Sequence, residues 1–226
     1  MYLLTAEQGI IRATVFGGPK SKLRAHAAPF NSGQVWLYHN PVKDSVKLSD
    51  FDVHSWRPGL RDLYERTMTA GAVTDTILAT HGGGGSWESA LILATATLDS
   101  LENANEELCN RILIHFLWRW AGFLGLQPHI ESCTICGKTA AADSPLWFDI
   151  REGNILCGDC TGAHPNGKNL LQLNPGCRRW LTTTAPLETS QLYRYSMDNK
   201  SFHEAKSFTT AVLTGALGKR LTSWDL

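Results

Sequence analysis

Residues 133–160 read CTICGKTAAADSPLWFDIREGNILCGDC, and the two Cys-x-x-Cys pairs that bound this stretch decide more about the fold than any other part of the chain. Each pair, Cys133/Cys136 and Cys157/Cys160, puts two thiols on one tight turn where both sulfurs reach the same ion, and two such turns complete a tetrahedral four-cysteine site. The twenty residues between the pairs carry Leu146-Trp-Phe-Asp-Ile150 and Ile155-Leu156 around Glu152-Gly153-Asn154. That pattern predicts a hairpin that brings the second turn beside the first. One structural Zn2+ held by Cys133, Cys136, Cys157 and Cys160 is the expectation, and four thiolates leave no position open for water or substrate. Reduced cysteines packed in a core, the plainer reading, have no need of this spacing. His129 and His164 lie just outside the pairs and are read as surface histidines.

Upstream of the cysteines the pattern is helical. From Pro58, residues Leu60, Leu63, Tyr64, Thr67, Met68 and Gly71 fall at helical spacing until the glycine run 82–85. Ser86 caps a second helix with Trp87, Ala90, Leu91, Ala94, Leu98 and Leu101 on one stripe, and a third runs from about Glu106 to Leu124, ending at Gly125 and Pro128. Trp118 and Trp120 in that third helix are read as core. Downstream, Asn174-Pro175-Gly176 opens another run, and Ser201-Phe-His-Glu204 reads as the capping box of a last helix. The helices on both sides of the cysteines are expected to form one domain, 58–226, with the zinc-ribbon-like module at 129–165 inserted in it.

The first 57 residues differ in kind. Residues 10–16 are β-branched and apolar, Gly17-Gly18-Pro19 stops them, and Val35-Trp36-Leu37-Tyr38 alternates two faces, which predicts a small sheet or barrel. The fold class is thus α+β. The whole chain of 226 residues is balanced at 21 basic and 21 acidic side chains, which excludes a uniformly basic nucleic-acid protein and a polyanionic tail. Locally it is not balanced. Residues 1–58 hold seven basic and four acidic side chains, residues 67–110 hold six acids and no Lys or Arg, and residues 168–226 hold eight basic against four acidic. Arg12, Lys20, Lys22 and Arg24 have no acid between them and lie by a glycine turn, where a phosphate backbone could approach. One pair of that alternation faces away from the core, and if it is Trp36 and Tyr38, Trp36 could stack a base, although a Trp more commonly packs in a core.

No segment is apolar over the ~20 residues that a bilayer span needs, so no membrane partner and a cytoplasmic location are expected. Gly-x-x-x-x-Gly-Lys-Ser/Thr, His-Glu-x-x-His, Gly-x-Ser-x-Gly and Gly-x-Gly-x-x-Gly are all missing, and Cys109 and Cys177 stand alone, so the chain is not expected to be an enzyme.

Three blocks together carry a family resemblance: Leu4-Thr5-x-Glu7-x-Gly9 with Gly18-Pro-Lys-Ser21 and Ala28-Pro29-Phe30; Phe116-Leu-Trp-Arg-Trp-Ala-Gly-Phe-Leu-Gly-Leu-Gln-Pro128 running into Cys133-x-x-Cys136-Gly; and Gly218-Lys-Arg-Leu-Thr-Ser223. In these the chain resembles the bacterial RecO recombination mediators over most of its length. The resemblance implies an N-terminal OB-fold-like barrel over 1–57, a helical domain, and a four-cysteine zinc module. It implies binding of single- and double-stranded DNA, annealing of complementary strands, and loading of the RecA recombinase with a RecR-like protein and the C-terminal tail of a single-stranded-DNA-binding protein, at the nucleoid. It places Cys133, Cys136, Cys157 and Cys160 as zinc ligands and Lys20, Lys22 and Arg24 on the DNA face. It also implies a strand ahead of Leu4-Thr5, and with Met1 almost at that segment an incomplete barrel is expected. The competing expectation is a zinc-stapled helical scaffold that binds proteins through its acidic helices.

Overall fold

A computed structural model describes residues 1–18, 20–82, 85–162 and 169–225. Pro19, two of the four glycines of the run 82–85, His164 and the end of the 129–165 module lie outside the described residues.

The N-terminal strands are β1 (Tyr2–Thr5), β2 (Gly9–Val15), β3 (Ser32–Asn40) and β4 (Ser45–Ser55), with the short helix α1 (Lys22–His26) between β2 and β3. They form one sheet of order β1-β2-β4-β3, antiparallel except for the parallel pair β2/β4. The Asn40 side chain makes the β3–β4 turn by accepting the backbone N–H groups of Val42 and Lys43. The sheet is open: β1 and β3 are its edges, and among the described residues no ladder joins them. A closed barrel is therefore not what these strands make, since a ladder with two free edges leaves the ring unclosed. Residues 22–26 are helical, where the sequence suggested only a glycine-rich turn.

Beyond the 3₁₀ turn Pro58–Arg61 come α2 (Tyr64–Ala79), α3 (Trp87–Leu101) and α4 (Glu106–Phe123). Ser86 and Asn105 cap α3 and α4 by accepting the N–H of Ser89 and Leu108. Residues 111–118 of α4 are buried on every side, as expected of a helix surrounded by others. It packs against α2, α3, α6 (Pro175–Thr184) and α7 (Asn199–Leu217). Trp118 and Trp120 are core residues, and the Trp120 indole N–H donates to Thr80 Oγ1.

Between α4 and α6 lies a second sheet, of order β6-β5-β7, made of β5 (Leu146–Asp149), β6 (Ile155–Leu156) and β7 (Leu170–Leu173), with the four-residue helix α5 (Gly158–Thr161) after β6. The predicted hairpin is present: Phe148 pairs with Ile155, and Gly153 takes the positive φ of 70° that the turn requires. Leu146, Phe148 and Ile155 belong to the same hydrophobic cluster as α4 and α7, with the Phe148 ring edge-on to Phe208.

The last helix starts earlier than the capping box suggested. Asp198 is the cap, accepting the Ser201 N–H, and Ser201 is a buried residue of the first turn. The Glu204 carboxylate does not reach back along its own helix; it accepts the N–H of Asn174 at 2.6 Å, tying α7 to the start of α6. Tertiary contact supplies a partner that a reading of local spacing leaves out.

Candidate metal centre and nucleic-acid face

Cys133 and Cys136 sit on a turn in which Gly137 N–H donates to the Cys133 carbonyl and Gly137 adopts φ 72°. Cys157 caps α5, and Cys160 lies within that helix, its N–H donating to the Cys157 carbonyl. Thr134 stitches the two turns together: its N–H donates to the Ile155 carbonyl at 2.7 Å and its hydroxyl accepts the Ile155 N–H. The four sulfurs consequently lie within 4.8 Å of one another, with Cys136 and Cys157 at 3.7 Å. A regular tetrahedron with metal–sulfur bonds of 2.3 Å has edges of about 3.8 Å, so this set could hold one metal ion with little adjustment. His129 is exposed and outside the cluster.

The thiols are unequal in their hold on protons. Burial works against ionisation of Cys133, but the N–H groups of Cys136, Cys157 and Ile135 outweigh it and bring Cys133 down to about 6. Cys160 is pushed up to about 12 because its thiol shares a proton with the sulfurs of Cys157, Cys133 and Cys136. Four thiol sulfurs this close together, with Cys133 readily ionised by its backbone donors, form a donor set that could hold a cation. Outside it, Lys138 Nζ and Asp159 Oδ2 pair across the two turns at 3.2 Å. Arg178, buried on α6, donates from Nε to the Ile130 carbonyl and from Nη1 to the Ser144 and Ala141 carbonyls, clamping the loops on either side of the first turn to the helical core. No spacing in the sequence marks Arg178 for this task.

The second candidate site is the outward face of the N-terminal sheet. Residues opposite each other in a ladder share a face. Tyr2 is opposite Arg12; Thr14 is opposite Lys47, which is opposite Tyr38; Trp36 is opposite Asp50 and Gln34 opposite Asp52. Tyr2, Phe16, Trp36 and Tyr38 are 58%, 59%, 46% and 54% exposed, large values for aromatic side chains, whereas Ala13, Leu48 and Phe51 on the other face are buried. The Lys47 ammonium stands 5.0 Å from the centre of the Phe16 ring. Lys20, Lys22 and Arg24 are exposed beside this sheet, and Arg24 Nη1 donates to the Gly17 carbonyl, folding the glycine turn against α1. Arg12 and Trp36 do not touch, because β4 lies between their strands. Tyr2, Phe16 and Lys47 were not singled out from the sequence. The signal was there in Arg12, Thr14 and Phe16, which alternate outward along one strand, but pairing partners are fixed by a sheet order that sequence alone does not state.

The model of the recombination protein O C-terminal domain matches residues 61–225, from the start of the helices through the cysteine module to the end of the described chain. Three relatives, each named DNA repair protein RecO, extend the likeness into the N-terminal sheet. That of Desulforamulus reducens is 23% identical over 207 residues, covering 92% of this chain and 77% of its own. That of Maridesulfovibrio salexigens is 24% identical, covering 81% and 74%, and that of Anaeromyxobacter dehalogenans is 26% identical, covering 98% and 85%. With nearly three quarters of its length matched by the family's own domain model, the chain belongs to the recombination protein O (RecO) family.

Proposed function

We propose that this protein is a non-enzymatic mediator of DNA repair and homologous recombination. It binds single- and double-stranded DNA, anneals complementary strands, and helps load a RecA-type recombinase on strands coated with single-stranded-DNA-binding protein, with a RecR-like partner and the coating protein's C-terminal tail as contacts. It works in the cytoplasm, at the nucleoid. The N-terminal sheet serves as an OB-fold-like platform, and the four cysteines hold one structural zinc ion.

The observation that carries this reading is the outward sheet face, where Arg12, Lys47 and the nearby Lys20, Lys22 and Arg24 accompany exposed Phe16 and Tyr38. Cations along a platform of unpacked rings are what a single strand needs, since phosphate neutralisation supplies affinity and rings stack bases of any sequence. Zinc suits the cysteines because four thiolates at tetrahedral spacing favour a soft ion without geometric demands.

The test is fluorescence anisotropy of a labelled oligo-dT at two salt concentrations, with wild type and with Lys20, Lys22 and Arg24 all changed to Ala. Wild type binds in a salt-sensitive way, and the triple variant binds more weakly with a shallower salt slope. Salt-insensitive partner binding with no affinity for DNA would instead favour the protein-binding scaffold, whose acidic helices span 67–110.

A further inference from the structure

The outward face of the sheet is not uniformly basic, and its acids are placed where they divide it. Asp50 stands directly opposite Trp36, and Asp52 directly opposite Gln34, on the central part of β4. Both carboxylates are exposed, and among the described residues neither pairs with a Lys or Arg; Asp52 meets only His54, at 3.5 Å. One step back along β4, past a bulge at which Ser49 has no partner on β3, the character changes: Lys47 lies between Thr14 and Tyr38, with the Phe16 ring beneath its ammonium. The bulge separates the two regions.

We infer that Asp50 and Asp52 form an acidic boundary that confines the bound strand to the Arg12, Phe16, Lys47 and Tyr38 part of the face and keeps Trp36 out of the footprint. This rests on the proposed binding of single-stranded DNA to that face and narrows it. Two residues apart on β3, Tyr38 and Trp36 look equivalent by exposure, yet one faces an ammonium and the other a carboxylate across the ladder. A base stacked on Trp36 brings its phosphate next to Asp50, and no cation on that part of the ladder offsets the repulsion. Repulsion between like charges a few ångströms apart in water changes affinity by about two- to three-fold per carboxylate at low salt, so two carboxylates are enough to end a weakly held track.

The experiment measures affinity for labelled oligo-dT of graded lengths at low salt with the full chain, comparing wild type, Asp50→Asn/Asp52→Asn, Trp36→Ala, Tyr38→Ala and Asp50→Asn/Asp52→Asn/Trp36→Ala. Asparagine keeps the Oδ1 that accepts the Phe51 N–H at 2.8 Å, so the strand geometry survives. Neutralising both acids tightens binding roughly three- to seven-fold and lengthens the occluded site. Trp36→Ala leaves wild-type affinity within about two-fold but weakens the neutralised background by roughly five-fold or more, the loss of one stacked base. Tyr38→Ala weakens binding in wild type. The boundary is overturned if Trp36→Ala costs the same in both backgrounds, or if the double Asn variant binds and spaces as wild type does. Absence of binding by wild type sinks the DNA-binding reading and the boundary together, whereas binding without a boundary sinks the second alone.

Discussion

The Arg57 guanidinium, with its side chain 1% exposed, donates through Nε to Asp99 Oδ1 at 2.6 Å and joins the end of the N-terminal sheet to α3. Through Nη1 it also holds the Phe30 carbonyl at 2.7 Å, so one buried cation gathers three segments. Asp99 is half-exposed and can be replaced without leaving a cavity. Asp99→Ala strands the guanidinium and lowers stability by about 2–3 kcal/mol, less than the loss for a fully buried pair because solvent reaches one partner. Denaturant unfolding checks this; a change under about 0.5 kcal/mol would show that the anchor is the Phe30 carbonyl rather than the ion pair.

Trp87 fills a slot formed by two glycines. A Cβ on Gly9 would come within 2.6 Å of its indole ring, and one on Gly82 within 2.5 Å, and both glycines have positive φ, 68° and 80°. Gly9 belongs to the N-terminal sheet and Gly82 to the turn that follows α2, so the ring is the wedge between sheet and helices. Gly9→Ala therefore costs about 2 kcal/mol or more, from backbone strain plus overpacking. Because the steric part vanishes with the indole, Gly9→Ala combined with Trp87→Ala should lose less than the sum of the single changes. Additivity in that cycle would mean the strain is wholly in the backbone.

The metal prediction concerns the whole helical core, not the module alone. Cys133, Leu146, Phe148 and Ile155 pack in the same cluster as α4 and α7. Purified protein should carry one zinc per chain, and a strong chelator should lower the melting temperature and expose Trp118, whose ring packs against Phe208 beside Phe148. Binding requires thiolates, so protons compete: affinity falls as pH falls, although Cys133, already near 6, gives up little of this competition at neutral pH. Cys136→Ser, which changes the exposed member of the cluster, should weaken zinc retention while leaving the α4 packing intact. Full zinc occupancy in that variant would remove Cys136 from the ligand set.

The parts of this fold that were legible in the sequence are those fixed by local chemistry. Paired cysteines, the Ser86 cap, the run opened by Asn174-Pro175-Gly176 and the Gly153 turn each act within a few residues, so spacing alone reveals them. The parts that escaped depend on a partner far along the chain. Glu204 has the spacing of a capping box yet bonds Asn174, and Arg178 has no motif yet holds three carbonyls of the loops around the first cysteine pair. On the sheet the alternation of Trp36 and Tyr38 with Val35 and Leu37 was legible as a period of two, while the acid facing Trp36 was not, because the bulges of β4 shift which residue stands opposite which.

His115 gives the pH dependence a defined source. It lies fully buried in α4, where Nε2 donates to the Thr184 carbonyl at 3.0 Å and, among the described residues, Nδ1 makes no hydrogen bond. Burial first, and the nearby Arg119 with it, bring His115 down to about 4, with the Thr184 bond only partly opposing. A folded value below the unfolded value near 6.5 means that the unfolded chain binds the proton more tightly. Its neutral form is therefore fully compatible with folding above about pH 6.5, and stability drains away as pH falls from there towards 4, by roughly 3 kcal/mol over the interval. Protonation of the four cysteines and of the carboxylates acts over an overlapping range, so wild type alone cannot isolate the histidine. His115→Gln can, because glutamine still offers an N–H to Thr184 but does not titrate, and the cysteines and carboxylates are unchanged. The difference between the two stability curves should slope between pH 6.5 and 4 and be flat above; parallel curves across that interval would assign the acid sensitivity to the cysteine cluster or the carboxylates instead.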